Sequence, residues 1–288
     1  MTTAPVDEQR MIDFDLHCHS AVSDGALEPE AVVERAAAQG VQVLALTDHD
    51  EIGGLALARE AARVAGITFV DGVEVSVTWR GGTVHVVGLR IDPAHPVLTC
   101  GLESVRSGRV ARARRMAEDL AAAGIEGSFD GALKYAANRS MVGRTHFARF
   151  LAEIGAVPDF KSAFKRYLVP GKPGYVPHQW ADLATAVGWI RAAGGRAVLA
   201  HPGRYGLSAG ALEDLLGEFR AAGGEAIEVV TGSHSPDQYA LFAALADKHA
   251  FLASRGSDFH APGDGNADFG KLPPLAAHLR PVWHDWQL

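Results

Sequence analysis

Ile12-Asp13-Phe14-Asp15-Leu16-His17-Cys18-His19, residues 12–19, opens as a short apolar run and closes on two histidines separated by one residue. Runs of the same kind recur at 41–46, at 67–70 continuing toward Val75, and at 84–89, 197–200, 226–230 and 251–254. With residues 12–16 they make seven strand candidates. Longer Ala- and Leu-rich stretches of helical period follow most of them. Short β-branched runs alternating with helical stretches are the pattern of βα units, so the expected fold class is α/β rather than all-α or all-β.

Helix signals support this reading. Glu28-Pro29-Glu30 opens a stretch that reaches Ala38, with Gly40 as its stop, and Ser235-Pro236-Asp237 opens another. Between about Pro96 and Ala181 the strand pattern disappears. Helices are expected there over 103–122, 143–153 and 160–167, as a helical subdomain of residues 98–180 inserted between barrel segments 12–97 and 181–288. Residues 1–11 carry Asp7, Glu8 and Arg10 without the apolar stretch of a signal peptide, and read as a loose, disordered tail.

Bulk properties exclude several classes. A chain of 288 residues has ample interior for a core, and 48% hydrophobic with 21% charged residues is ordinary for a globular protein. The net charge of −7 argues against a broadly basic nucleic-acid-binding coat, so any anion site must be local. Cys18 and Cys100 are the only cysteines and form no CxxC, which supports neither a disulfide framework nor a thiolate zinc site. A reducing, cytoplasmic setting is expected, with no membrane span and no obligate protein partner.

Chemistry enters through position. Strand one runs into Asp15-Leu16-His17-Cys18-His19, strand two into Thr47-Asp48-His49-Asp50, and strand three into Gly72-Val73-Glu74. His85 lies in strand four, His201-Pro202 follows strand five, and Ser257-Asp258-Phe259-His260 follows strand seven. In barrel-like α/β folds the C-terminal strand ends converge on one face, so these side chains could meet. Residues two apart in an extended segment point the same way; His17 and His19 can therefore grip one ion while Cys18 points away, and Asp258 pairs with His260 likewise. One histidine near a strand end is commonly a hydrogen-bonded structural residue. Six strand ends carrying His, Asp or Glu argue jointly for a metal centre, and imidazole with carboxylate but no thiolate suits Mn²⁺, Zn²⁺ or Fe²⁺.

The elements DLHCHS, TDHD, GVE, AHP and SDFH, in this order, make the chain similar to the PHP (polymerase and histidinol phosphatase) family over nearly its whole length. That resemblance implies a distorted seven-stranded (β/α) barrel of PHP type holding two or three divalent metal ions, Mn most of all, with Zn, Fe or Mg as alternatives. By resemblance, His17, His19, Glu74 and Asp258 hold one ion, Glu74, His85 and His201 a second, and Asp24, His49 and His260 a third. Glu74, His201 and Asp258 would carry the catalysis. From the residues alone Ser23-Asp24-Gly25 is also a good turn. Asp15, Asp48 and Asp50 are expected to orient histidines, with Asp50 also a good helix N-cap. Clustered cations generate hydroxide and stabilise phosphoryl displacement, in keeping with the lack of a GxSxG, catalytic Cys or P-loop sequence.

The amidohydrolase superfamily also begins with HxH at strand one, but it uses a strand-end lysine that this chain lacks. Residues 143–151 (GRTHFARFL), 164–176 and the AHPGRY segment resemble the PHP subgroup of nucleoside 3′,5′-bisphosphate phosphatases and 5′-to-3′ exoribonucleases. This implies a small nucleotide or short 5′-phosphorylated RNA as substrate, with the insertion capping the barrel mouth. Arg144, His146, Lys172 and Arg204 are the candidate phosphate contacts. The arginine-rich stretch from Arg106 to Arg115 reads as a solvated face. Histidinol phosphate or another small phosphate ester as substrate, and a non-catalytic PHP module, remain alternatives.

Overall fold

The computed structural model describes residues 12–264 and 267–287, so the expected N-terminal tail lies outside the described residues. Seven strands form one sheet in sequence order: β1 (Phe14–Asp15), β2 (Val43–Leu46), β3 (Thr68–Trp79), β4 (Gly82–Leu89), β5 (Arg196–Leu199), β6 (Ala226–Thr231) and β7 (Leu252–Gly256). The sheet curls nearly into a barrel, its ends meeting where Leu16 N donates to Arg255 O at 3.1 Å and His19 N to Phe259 O at 2.9 Å. Gly256 permits that approach, because a Cβ there would lie 2.3 Å from the Cβ of His17.

All neighbouring strands are parallel except around β4, which runs antiparallel to both β3 and β5. β3 is much longer than the run at 67–70 suggests. Val73, Val75 and Val77 carry it on to Trp79, and Glu74 consequently sits inside the strand instead of at its end. Strand residues alternate between two apolar layers: Val43 and Ala45 face the barrel interior with Leu16, Val87 and Val198, while Leu44 and Leu46 face the surrounding helices. The C-terminal segment closes the barrel floor, where Trp283 stacks on Phe14 with ring centroids 4.0 Å apart.

The helices are α1 (Pro29–Ala38), α2 (Leu55–Ala65), α3 (Pro96–Arg106), α4 (Arg109–Ala122), α5 (Ser128–Leu133), α6 (Arg144–Glu153), α7 (Phe160–Ala163), α8 (Leu183–Ala192), α9 (Ala209–Ala221) and α10 (Pro236–His249). The expected single helix over 103–122 is two, broken at Ser107-Gly108; a Cβ on Gly108 would meet the His178 ring at 2.4 Å. The expected helix over 160–167 is the single turn α7, widening into a π-helical turn over Phe164–Leu168. α5 was not foreseen, its six residues being too few for a periodic signal.

Leu98 and Leu102 of α3 join the barrel's outer layer, whereas residues from Ala113 to Val176 form a separate apolar cluster around Met116, Leu120, Phe147 and Leu151. Burying one such side chain stabilises by roughly 1.5–3 kcal/mol, so this cluster gives the helical segment its own shape. Among the described residues no helix is long and apolar enough to cross a membrane.

Candidate metal centre

The strand ends deliver their side chains to one point. His17 and His19 follow β1, His49 follows β2, Glu74 lies in β3 and His85 in β4, His201 follows β5, and Asp258 and His260 follow β7. His17, His19 and Glu74 are completely buried and His201 nearly so. Between His17 and His19, Cys18 turns away, its Sγ against Ala45 O at 3.2 Å.

Glu74 is the hub. Its Oε1 lies 2.9 Å from both His85 Nδ1 and His201 Nε2, and its Oε2 lies 2.9 Å from His49 Nδ1, 3.2 Å from His17 Nε2 and 3.3 Å from His19 Nε2. His17 Nε2 and His19 Nε2 are themselves 3.2 Å apart, and Asp258 Oδ1 stands 3.5 Å and 3.3 Å from them. Donors sharing an ion at about 2.1 Å are about 3.0 Å apart in an octahedron and about 3.4 Å apart in a tetrahedron. The spacing is that of donors around a cation. Burial confirms the mismatch without one: His19 Nδ1, Asp24 Oδ1, His49 Nδ1, Glu74 Oε2, His85 Nδ1, His201 Nδ1 and Asp258 Oδ1 are all buried without a hydrogen-bond partner.

A second group forms alongside. Asp24 Oδ1 lies 3.3 Å from His260 Nε2 and 4.0 Å from His19 Nδ1, and Asp24 Oδ2 lies 3.9 Å from His49 Nε2. Thus the donor sets that could hold an ion are His17–His19–Glu74–Asp258, His19–Asp24–His49–His260 and His49–Glu74–His85. His201 approaches the last of these through Glu74 Oε1.

The electrostatics agree. Burial works against ionisation of His17 and His19, yet the carboxylates around them push His17 well above its ordinary range and His19 up to about 10. Burial likewise opposes the charge on Glu74, Asp24 and Asp258, but neighbouring histidines, and Arg204 beside Asp258, hold all three well below the usual carboxylate range. His201 is pushed down to about 4, by burial and then by Arg204. The centre calls for positive charge.

Several supporting residues differ from expectation. Asp15, Asp48 and Asp50 do not orient histidine rings. Asp15 accepts from Ser257 N at 2.8 Å, and Asp48 accepts from Ser20 N, Ser20 Oγ and Ser23 Oγ at 2.6–2.8 Å. Asp50 accepts from Ser76 N and Oγ at 2.7 and 2.8 Å and pairs with Arg109; it caps no helix, since α2 begins at Leu55 after Gly54. All three brace the loops that carry the ligand candidates. The orienting acid is Glu228 in β6, which the sequence reading passed over. Buried to 1% exposure, it accepts from His17 Nδ1 at 2.8 Å and from His201 N at 2.6 Å. His201 and Asp258 both have positive φ, of 27° and 54°, a conformation that costs about 1–3 kcal/mol. His234 pins the loop after His201, accepting from Gly203 N at 3.0 Å.

The helical segment meets the centre through Thr145, whose Oγ1 donates to Asp24 Oδ2 at 2.7 Å. Two recesses flank the donors and share Thr145, Phe164, Arg204 and His260. The smaller, about 100 Å³, is walled by Arg109, Arg112, Arg144 and Trp180. The arginine-rich stretch is therefore not wholly a solvated face: three residues apart on α4, Arg109 and Arg112 turn inward under Trp180, 4.7 and 5.5 Å from its ring, while Arg114 and Arg115 stay outside. Burial and the neighbouring Arg144 and Arg109 push Arg112 down to about 9, still cationic at neutral pH. Among the described residues neither Arg112 nor Arg144 pairs with a carboxylate.

Of the expected phosphate contacts, Arg144 and Arg204 line the cleft, Arg204 donating to Asp258 Oδ2 at 2.6 Å. His146 is fully buried and instead accepts from Gly143 N at 3.0 Å, bracing the start of α6. Lys172 is exposed on the 170–174 turn and lines neither recess.

A family-wide sequence profile described as PHP domain matches residues 15–167. The chain is 56% identical over 275 residues to a 3′,5′-nucleoside bisphosphate phosphatase of Chromobacterium violaceum, covering 96% of each. It is 42% identical over 289 residues to the 5′-3′ exoribonuclease Rnm of Salmonella typhimurium, covering 100% of this chain and 98% of that one. Its fold superposes with a TM-score of 0.92 on a solved structure of an amidohydrolase from Chromobacterium violaceum, with bound sulfate and no metal, at 56% identity over 94% of each chain. The hub here is the carboxylate of Glu74; Lys161 and Lys165, which line the larger recess, come from the helical segment and not from a strand end.

Proposed function

Since the chain belongs to the PHP domain family, we propose that it is a metal-dependent phosphoesterase that removes the 3′-phosphate of nucleoside 3′,5′-bisphosphates and trims short 5′-phosphorylated RNA. One observation carries the reading: a buried set of His, Asp and Glu donors at cation-sharing distances opens beside an arginine pocket with room for a phosphate.

His17, His19, Glu74 and Asp258 would hold one ion, Glu74, His85 and His201 a second, and Asp24, His49 and His260 a third, with Mn²⁺ the preferred ion of two or three. Such ions, when bound, supply hydroxide at neutral pH and offset the charge of the phosphoryl group being displaced. The protein's own residues do the placing. Glu228 directs His17 Nε2 toward the centre by accepting the hydrogen bond from Nδ1–H. Arg112 and Arg144 receive the phosphate that is not cleaved, since a guanidinium without an internal acid favours a dianion. Arg204, on Asp258, stands where it can reach the reacting phosphate. Glu74, His201 and Asp258 crowd the reaction centre and carry the catalysis. Residues 98–180 act as a substrate cap, tied to the centre by Thr145 and Asp24. The two unpaired cysteines fit a cytoplasmic setting.

The test is direct. Purified protein with Mn²⁺ should release phosphate from adenosine 3′,5′-bisphosphate, and His17→Ala should abolish release. Full activity in the variant would refute the ligand assignment, and no release with any divalent ion would refute the function.

A further inference from the structure

The larger recess, about 370 Å³, adjoins the arginine pocket through the shared Thr145, Phe164, Arg204 and His260 and reaches the donors at Asp258 and His260. Its walls are of a different kind. Phe160 and Phe164, half-buried and edge to face at 5.3 Å, rise from the turn where α7 widens into the π-helix, and Lys161 and Lys165 stand on the same turn. Opposite them lie Gly232 and Ser233 after β6 and Ser257, Asp258 and His260 after β7, and Ser233 Oγ is buried without a partner.

The two recesses differ in what they can hold. At about 100 Å³ the arginine pocket admits a phosphate group but not a further nucleotide. The terminal 5′-phosphate carries nearly two charges and is the group best matched to clustered guanidinium groups. The larger recess falls in the usual ~300–1,000 Å³ range of small-ligand sites. It combines aromatic faces, on which any base can stack, with ammonium groups for a backbone phosphate.

Building on the phosphoesterase reading above, we infer that this groove binds the nucleotide on the 3′ side of the scissile phosphate, so that the chain accepts an oligonucleotide as well as a bisphosphate. One hydrolytic step serves both substrates. Water adds to phosphorus, the bond from phosphorus to the 3′-oxygen of the first nucleotide breaks, and that oxygen takes a proton. In the bisphosphate the departing phosphate carries nothing more. In RNA it carries the next nucleoside, which the groove holds, and the shortened RNA keeps a 5′-phosphate ready for another cycle.

The experiment compares kcat/KM on adenosine 3′,5′-bisphosphate and on 5′-phosphorylated triadenylate for wild type, Phe160→Ala and Lys165→Ala. The ratio of triadenylate to bisphosphate kcat/KM should fall at least about fivefold in Phe160→Ala, the loss of one stacking contact, and mainly through KM. Exposed Lys165 supplies the variant that leaves the helical core intact; its oligonucleotide binding should show a shallower salt dependence. Anisotropy of a 3′-fluorescein-labelled, 5′-phosphorylated triadenylate in EDTA reads the groove without turnover, and both variants should bind it more weakly. Equal losses on the two substrates with unchanged binding in EDTA would overturn the inference. Wild-type protein that hydrolyses the bisphosphate but neither cleaves nor binds triadenylate would overturn it too, leaving the phosphoesterase reading standing. If neither substrate is hydrolysed with any divalent ion, that reading fails and binding in EDTA alone decides the groove.

Discussion

Replacing Glu228 with glutamine removes one charge and almost no volume, yet it forces a choice between two buried donors. Both carboxylate oxygens are engaged, one by His17 Nδ1 at 2.8 Å and the other by His201 N at 2.6 Å. Glutamine offers one acceptor oxygen and an NH₂ group. If the oxygen stays on His201 N, the NH₂ faces His17 Nδ1, and the ring must move its proton to Nε2, which removes the lone pair aimed at Glu74 and Asp258. If the oxygen stays on His17, the NH₂ confronts the His201 amide, leaving a buried donor unsatisfied at about 1–3 kcal/mol. Either outcome should weaken ion binding and lower kcat/KM by about 10–100-fold, the usual cost of losing the acid behind a metal-binding histidine. Chelator-competition titration with Mn²⁺ measures the first and phosphate release from the bisphosphate the second, with circular dichroism checking the fold. Glu228→Asp, which keeps the charge, should recover part of both. Glu228→Gln values within threefold of wild type on both measurements would refute the role given to Glu228.

Arg144→Ala should raise KM for adenosine 3′,5′-bisphosphate about tenfold or more, as expected when a charge-assisted phosphate contact is lost, and change KM for adenosine 3′-monophosphate far less. Equal effects on both would place the second phosphate elsewhere. For pH, burial pushes His146 from 6.5 down to about 4 on folding. As pH falls the unfolded chain takes up this proton first, so the contribution is complete above about pH 6.5 and lost toward pH 4, by at most about 3 kcal/mol. Urea denaturation at pH 7.5 and 4.5 should show a smaller stability loss in His146→Gln than in wild type, and identical losses would contradict the assignment.

The strands and the donor residues were legible because their signals are local. Two-residue alternation aims His17 and His19 to one side whatever the chain does later, and the Asp258-Phe259-His260 segment follows the same rule. Beyond that, the run at 67–70 marked where β3 begins and its course toward Val75 but not that it goes on to Trp79, because residues buried on both faces lose the alternation that shows where a strand ends. α4 shows the converse: its arginines, read along one line of sequence, form a polar stretch, and only the helix's rotation and its position under Trp180 separate the inward pair Arg109 and Arg112 from the outward pair Arg114 and Arg115.

Short-range chemistry determined the α/β class, the seven strands and the set of side chains able to hold cations, since residue type and spacing act over a few bonds. Tertiary structure alone decided the rest. Glu228 is an ordinary acid in a strand until β6 is curled into the barrel between β5 and β7, where its two oxygens meet His17 and His201, 211 and 27 residues away. His146, beside a plausible anion-binding turn, was turned inward by the packing of α6. The two recesses exist only because the helical segment sits against the strand ends. Such contacts join residues far apart in the chain, and no local pattern specifies which of them closure of the sheet will bring together.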